Sequence, residues 1–313
     1  ASDIRRALPM PAAIDAVAAA YAQLAAGKAT MPLRSRFHTP NGVTLLMPAH
    51  LHESDDFAVK IVSVYEGNPT LDLPTVTATV LVLDPLTGIP RALMEGDRLT
   101  ALRTGAAGGV AARHLARTDA TVVALFGAGA QARAQLEAVT AVRSIERILI
   151  VDPVAGAARG LAEEIARWPE APEVIVDDSP RKAVSQADIV LAATTTMTPL
   201  FDGRDLKPGT HVTGVGSFKS DMQEIDAATI ARARVVVDQR EAAMAEAGDI
   251  ILGKAVIDAE IGEIVNGTRP GRQNDDEITF FKSVGLAVQD AATAAAALRA
   301  AEEKGLGTVI DMS

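Results

Sequence analysis

The chain is 313 residues long, which at roughly 150 residues per domain sets an expectation of about two domains. Hydrophobic residues make up 48% and charged residues 22%, so disordered, collagen-like and coiled-coil compositions are excluded and a packed globular protein is expected. The net charge of −10, from 30 Lys plus Arg against 40 Asp plus Glu, repels phosphate backbones and weighs against nucleic acid as a partner.

Cysteine is absent, which removes disulfides, thiolate catalysis and sulfur-ligated metals and makes a reducing cytoplasm the expected home. No apolar run reaches the roughly 18 residues of a membrane span. The opening ASDIRRALPM lacks the apolar core of a signal peptide and starts on Ala1, as a trimmed terminus would.

From Met10 to Lys28 the residues Ile14, Val17, Ala18, Tyr21 and Leu24 recur at helical spacing, with Gly27 as the stop. The runs LRSRFHT, VTLLMP, FAVKIVSV, TVTATVLVLD and RALMEG follow, rich in β-branched residues and bounded by Pro, Asn and Gly, and read as strands. Turn chemistry in DPLTG, Asp84 to Gly88, makes neighbouring strands antiparallel. Residues 1 to about 95 therefore form an α+β unit. Asp97 is the expected N-cap of a helix that carries Leu99, Leu102, Ala106 and Val110 and ends near His114.

Beyond it TVVALF, RILIVD, EVIVD, DIVLAAT, HVTGVG and RVVVD alternate with segments suited to helices. That rhythm predicts an α/β, doubly wound parallel sheet of Rossmann type from about residue 115 to 240. After Asp238 come two helical stretches, then a long helix expected from Asp276 toward Lys304, started by the acidic run Asp275 to Glu277 and stopped by Gly305. Its Ala-rich part, DAATAAAALRAAEEK, suits close approach to another helix and is expected to return to the first unit.

The segment GAGAQA, Gly127 to Ala132, stands directly after one strand and before a helix containing Leu136 and Val139. Gly127 would supply a tight turn, Gly129 would let backbone approach a pyrophosphate, and Ala132 would keep helix and strand close. The string alone could be an ordinary turn; its context makes Gly127, Ala128, Gly129, Ala130 and Gln131 candidate cofactor residues. Asp152 ends the next strand, 25 residues after Gly127. It either caps a helix or bonds a ribose 2′-hydroxyl, and in the second role it favours NAD(H) while leaving NADP(H) possible. Thr194, Thr195, Thr196, Val215 and Gly216 fall at further strand ends, the edge where such sheets bind ligands.

Three cations stand out: Arg34, Lys60 and Arg103. Strand alternation groups Lys60 with Ala58, Val62 and Val64, and opposite them Phe57, Val59, Ile61 and Ser63. A lysine among apolar neighbours needs a partner or a cleft, and its lowered pKa suits proton transfer. An ion pair or a solvated sheet face would explain the same run equally well. His50 and His52 have no third ligand of suitable spacing, so no metal is expected. No GxSxG or HExxH string occurs.

Taken together, MPLR, VTLLMP, KIVSVYEGNP, LTALRTGAA, GAGAQA and FFKSVGLAVQD resemble the ornithine cyclodeaminase/mu-crystallin family, and the resemblance spans nearly the whole chain. It implies a substrate-binding and dimerisation domain over 1–112, completed by a C-terminal helix at about 288–313, and an NAD(P)-binding Rossmann domain over 113–287. It also implies a homodimer and a nucleotide held at an interdomain cleft. Arg34, Lys60 and Arg103 match family positions that bind a substrate α-carboxylate, with Lys60 near the reacting carbon as the catalytic residue, and Thr104 would lie beside the nicotinamide or phosphates. The family deaminates ornithine to proline, deaminates alanine oxidatively, and reduces cyclic ketimines.

Two departures discriminate among these reactions. Ornithine-acting members carry a glutamate two residues before the Met-Pro pair, where this chain has Leu45. They and the alanine dehydrogenases carry an aspartate six residues before a Glu; counting back from Glu224 reaches Phe218, beside Ser217. Reduction of a preformed imine needs only hydride, a carboxylate clamp and a proton source. The expected activity is thus NAD(P)H-dependent reduction of 1-pyrroline-2-carboxylate or 1-piperideine-2-carboxylate to L-proline or L-pipecolate. Ornithine cyclodeaminase, alanine dehydrogenase and a low-turnover binder of nucleotide and ligand are the alternatives.

Overall fold

The structure, a computed structural model, describes residues 2–310. Helices α1 (Ser2–Ala7) and α2 (Met10–Ala25) lead into β1 (Ala29–Thr30), β2 (Ser35–Thr39), β3 (Gly42–Leu51), β4 (Asp56–Val64), β5 (Val76–Leu83), β6 (Pro90–Glu95) and the helix α3 (Gly96–Leu115). There follow β7 (Val122–Phe126), α4 (Ala130–Thr140), β8 (Arg147–Val151), α5 (Ala155–Ile165), β9 (Glu173–Val176), α6 (Pro180–Gln186), β10 (Ile189–Ala192) and β11 (His211–Gly214). The chain closes with α7 (Ala227–Arg232), β12 (Ala233–Val237), α8 (Arg240–Glu246), α9 (Gly248–Leu252), β13 (Ala259–Glu260), α10 (Ile261–Val265), β14 (Ile278–Lys282) and α11 (Ala287–Lys304).

Two compact units result, one running to Arg103 and resuming at Leu286, the other spanning Thr104–Gly285. The division falls inside α3, earlier than the 112/113 boundary expected from sequence, and the return falls at Leu286 rather than 288. The reason lies in small residues. A Cβ at Gly105 would strike the Ala134 carbonyl, and one at Gly108 would strike the Gln135 side chain, so the second part of α3 lies tightly on α4. Arg143 holds the end of α3, donating from Nη2 to the carbonyls of Ala112 at 2.8 Å and Ala116 at 2.9 Å.

The first unit is an antiparallel sheet in the order β1-β3-β4-β5-β6, with β2 paired to β3. Asp84 closes the β5–β6 turn by accepting from the Thr87 N–H at 2.8 Å, and Gly88 takes a positive φ of 71°. One face, carrying Met47, Ala49, Ala58, Val80 and Val82, is buried, and α11 packs against β3, β4, β5 and α2. The α11 alanines 291, 292, 294 and 295 are all buried, which lets the helix sit close. Asp97 is not the N-cap of α3. The helix begins at Gly96, and the Glu95 carboxylate accepts from the N–H groups of Asp97 at 2.8 Å and Arg98 at 3.2 Å. A carboxylate one residue before the helix reaches the same unpaired donors, so the sequence position misled.

The second unit is a parallel, doubly wound sheet of eight strands in the order β13-β12-β14-β11-β10-β7-β8-β9. Its core includes Val123 and Leu125 of β7, Ile148 and Ile150 of β8, Leu136 and Val139 of α4, and Leu161 of α5. The long helix expected from Asp276 is corrected here. ITFFK forms β14, a strand between β11 and β12 with all five residues buried, and the helix starts only at Ala287. Nor do Asp275 to Glu277 start a helix: the Asn274 side chain accepts from the N–H groups of Asp276 at 3.0 Å and Glu277 at 2.8 Å, forming a turn into the strand. A strand buried on both faces has no alternation to betray it, and its neighbouring helical pattern absorbed it. Gly305 ends α11 in the left-handed region at φ 61°.

His211 is fully buried at the start of β11, its Nδ1 2.9 Å from Thr279 Oγ1 and its Nε2 3.0 Å from Thr213 Oγ1. Burial, aided by the charges of Arg272 and Arg143, lowers its pKa to about 3. Between the unfolded value near 6.5 and that folded value the unfolded chain binds the extra proton, so stability falls with acidification by up to about 1.4 kcal/mol per pH unit. Urea unfolding of the parent and of His211→Gln between pH 7 and pH 4 is therefore expected to give a visibly shallower acid decline for the variant. Parallel declines would contradict this.

Candidate active site

The residues singled out from sequence fall into two groups, one in each unit. In the first, register places Met47, Lys60 and Val80 side by side across β3, β4 and β5 on the face that α11 covers. Arg34 immediately precedes β2, and continuation of the β2–β3 register sets it opposite Met47. Lys60 is 2% exposed and lies 2.8 Å from Asp290 Oδ2. Arg103, on α3, donates from Nε to Asp290 Oδ1 at 3.0 Å and from Nη1 to Gln289 Oε1 at 3.2 Å. Burial and the charge of Arg103 lower the Lys60 pKa to about 8; Asp290 opposes them, and Arg34 adds a smaller depression. The ammonium is thus paired, buried and poised to give up its proton near neutral pH.

The next row on the same face is Arg36, Leu45, Val62 and Ala78. At the position where ornithine-acting relatives of the resemblance carry a glutamate, Leu45 stands beside a cation, and its neighbours on β4 and β5 are apolar.

In the second unit the predicted loop lies where strand order reverses, between β7 and β10. Three backbone bonds carry the ladder past the strand ends: Gly127 N–H to Val151 O and Ala193 N–H to Phe126 O and Val215 N–H to Ala192 O, each at 3.0 Å. They align Gly127, Asp152, Thr194, Thr195 and Val215 along one carboxyl edge. Gly127 has φ 97°, and a Cβ there would lie 2.6 Å from the Ala193 carbonyl oxygen. Gly129 is the N-cap of α4 and makes no side-chain cap bond, while a Cβ there would meet no protein atom within 4 Å. Protein packing therefore does not demand this glycine; its lack of a side chain leaves the N-terminus of α4, with the N–H groups following Ala128 from Ala130 and Gln131 onward, open to close approach by an anionic ligand. Ala132 is fully buried against the sheet. Asp152 Oδ1 accepts from the Val154 N–H at 2.7 Å, a local turn that fixes the carboxyl at the strand end. The Thr104 carbonyl accepts from Gln135 Nε2 at 2.7 Å, joining its turn of α3 to α4. The residues present fit a dinucleotide.

Behind this edge lies a buried charge network that sequence reading missed. Glu224 accepts from the Thr194 N–H at 2.7 Å and hydroxyl at 2.8 Å, and from the N–H groups of Gly216 at 2.6 Å and Ser217 at 3.2 Å. Asp249 Oδ1 accepts from the N–H groups of Glu224 at 2.7 Å and Ile225 at 3.0 Å, and its Oδ2 lies 3.0 Å from Lys282 Nζ. Burial raises the Glu224 pKa, opposed by the Lys282 charge and the Thr194 bonds. A carboxylate so occupied accepts in all four of these bonds and ties two strand ends together. Ser217 is also buried, its hydroxyl donating to the Met222 carbonyl at 2.8 Å, and Phe218 is 41% exposed. Asp238 fixes the loop after β14, accepting from Ser283 Oγ at 2.9 Å and from the N–H groups of Val284 at 2.8 Å and Gly285 at 3.0 Å.

Asp290 and Gln289 were likewise not foreseen. The signal for Lys282 was the one used for Lys60, a lysine beside an apolar run; for Asp290 it was an acid at the head of an alanine-rich helix with small and apolar residues around it.

A Rossmann unit with a dinucleotide loop, joined to an antiparallel unit with buried paired cations, defines a nicotinamide-nucleotide-binding class of protein. The chain belongs to the ornithine cyclodeaminase/mu-crystallin family, whose model matches residues 1–305. It is 37% identical over 321 residues to a Delta(1)-pyrroline-2-carboxylate reductase of Bacillus cereus, covering 99% of this chain and 98% of that one. Among solved structures, Thermococcus litoralis Delta(1)-pyrroline-2-carboxylate reductase in complex with NADH and L-proline superposes with a TM-score of 0.94 at 42% identity, covering 99% of this chain and 98% of that chain. An archaeal alanine dehydrogenase dimer with bound NAD gives 0.92 at 33% identity, covering 100% and 98%.

Proposed function

We propose that the protein is an NAD(H)-dependent reductase of a small cyclic imino acid, 1-pyrroline-2-carboxylate or its six-membered homologue, yielding L-proline or L-pipecolate. The observation that carries this is the Lys60 face: buried cations whose facing carboxylate, Asp290, is already paired with Lys60 and Arg103, flanked across the strands by the apolar Leu45, Met47, Val62 and Val80. The two Delta(1)-pyrroline-2-carboxylate reductases named above support it, and the alanine dehydrogenase supports the use of NAD. Arg34 and Arg103 bind the carboxylate by charge-assisted bonds, and Lys60 orients it. Gly127, Ala128, Gly129, Ala130 and Gln131 receive the pyrophosphate, Asp152 the adenosine ribose, and Thr104, Thr194, Thr195 and Val215 flank the nucleotide. The bound nicotinamide supplies a hydride. As that hydride adds to the imine carbon, the C=N π pair passes to nitrogen, which takes the proton from Lys60 Nζ; Lys60 is recharged from solvent. With the Lys60 pKa at about 8, reduction is expected to slow as pH rises through that value.

The test is oxidation of NADH, then NADPH, with 1-pyrroline-2-carboxylate, run beside L-ornithine plus NAD. Rapid imine reduction with inert ornithine supports the proposal; proline formed from ornithine overturns it. Retention of NADH with no turnover across a panel of imino and keto acids would favour a binding role instead.

The working form is a homodimer in the cytoplasm. Supporting the dimer, the outer face of the first unit's sheet carries Phe37, Pro48, Val59, Ile61, Leu81 and Leu93, of which Phe37, Ile61 and Leu93 are 56%, 41% and 73% exposed. An apolar sheet face of this kind suits a second copy of itself about a two-fold axis. Ile61→Glu with Leu93→Glu is expected to turn a dimer into a monomer in sedimentation velocity. A monomeric parent, or an unaffected dimer, would place the interface elsewhere or remove it. No helix among the described residues is long and apolar enough to cross a membrane.

A further inference from the structure

We propose that Asp290 is the positioning residue of this site, its two carboxylate oxygens holding Lys60 and Arg103 in the one arrangement from which Lys60 donates its proton. The proposal rests on the reductase reading above. Its basis is geometry: the ammonium sits 2.8 Å from Oδ2 and the guanidinium Nε donates to Oδ1 at 3.0 Å, with all three side chains no more than 7% exposed. The turn that carries Asp290 is itself locked. Gln289 accepts from the Leu286 N–H at 2.5 Å and from Arg103 Nη1 at 3.2 Å, and donates to the Tyr21 hydroxyl at 2.8 Å. Asp290 also lies in the first turn of α11, where the helix dipole favours a negative charge.

The charges facing Lys60 are Arg103 from α3, Arg34 ahead of β2 and Asp290 from α11. Its neighbours on β3 and β5, Met47 and Val80, carry none. Without the carboxylate, Lys60 and Arg103 would share one buried place with the half-buried Arg34 adding its charge, and only the lysine can relieve the repulsion by losing its proton. Asp290 therefore retains the proton on Lys60 while leaving a net positive cluster for the substrate carboxylate. Its distance along the chain from Lys60 and Arg103 explains why no local motif reveals the role.

The experiment follows Lys60 directly in protein carrying 13C at lysine Cε, its resonance assigned by its loss in Lys60→Met, beside the pH profile of imine reduction. In the parent the Lys60 midpoint is expected near 8. In Asp290→Asn it is expected at least about one pH unit lower, with the alkaline limb of kcat displaced equally, so that the rate falls about tenfold or more at pH 8.5 and far less at pH 6. Asp290→Glu keeps the charge and is expected to keep the midpoint. An unmoved midpoint in the Asn variant, or an equal loss of rate at every pH, overturns the proposal. Should the Asn variant not fold, the Glu variant decides: an unchanged midpoint supports it, and a fall of a full unit overturns it. A parent that titrates as expected yet reduces no imine would refute the reductase reading while leaving the hold of Asp290 on Lys60 established.

Discussion

Lys60→Met is expected to lower kcat for imine reduction by about 10²–10⁴-fold, the range typical of losing a positioned general acid. Methionine matches the length of the lysine stem and suits a face shared with Met47 and Val80, so the fold should survive. Asp290 keeps its bond from Arg103 Nε at 3.0 Å, which spares it the full cost of an unpaired buried charge. NADH affinity should be unchanged, because Lys60 is not among the candidate nucleotide residues. Arg103→Lys, by contrast, keeps a charge but loses the planar fork and should act mainly through KM. Steady-state kinetics with fluorescence titration of NADH separates the two. A Lys60→Met enzyme of parental rate would remove lysine from the mechanism and leave substrate protonation in solution as the proton source.

Asp249→Ala is expected to destabilise the protein by roughly 3–5 kcal/mol, the usual consequence of leaving a buried partner charge alone. Lys282 is 0% exposed and loses the carboxylate 3.0 Å away, while the N–H groups of Glu224 and Ile225 lose their acceptor. The effect should reach the candidate nucleotide edge, since Glu224 ties Thr194 to Gly216 and Ser217. A Cβ at Gly216 would lie 2.5 Å from Glu224 Oε1, a measure of how little slack that junction has. Urea midpoints should therefore fall together with NADH affinity. Adding Lys282→Met to Asp249→Ala should recover much of the stability, because the isolated charge rather than the lost pair dominates the cost. Full additivity of the two substitutions would show that the charges are not coupled.

Much of this architecture is legible in the amino-acid sequence. The β7-loop-α4 unit announces itself because a strand, a glycine turn and a helix are contiguous in the chain, and glycine at Gly127 answers a local backbone requirement. The antiparallel strands from β2 to β6 are equally plain, since each is bounded by turn chemistry acting over a few residues. Lys60 stands out because a lysine within FAVKIVSV contradicts its surroundings.

What escapes is long-range. β14 enters the sheet between β11 and β12, yet its five residues lie beside a helical stretch and show no alternation, so only the order of strands in space identifies it. Glu224 serves in the sequence merely as a marker from which to count back; its contacts with Thr194 and Asp249 span 30 and 25 residues.

Local signals such as a turn, a period or a misplaced charge act over the few residues that specify them, and for this protein they suffice for the fold class and for singling out the candidate nucleotide loop and the candidate cations Arg34, Lys60 and Arg103. The partner of Lys60 and Arg103 was decided by tertiary structure alone. Asp290 meets Arg103 across 187 residues of chain, because α11 returns to the antiparallel unit. Which buried charges neutralise each other depends on distances that folding creates, and no spacing along the chain records them.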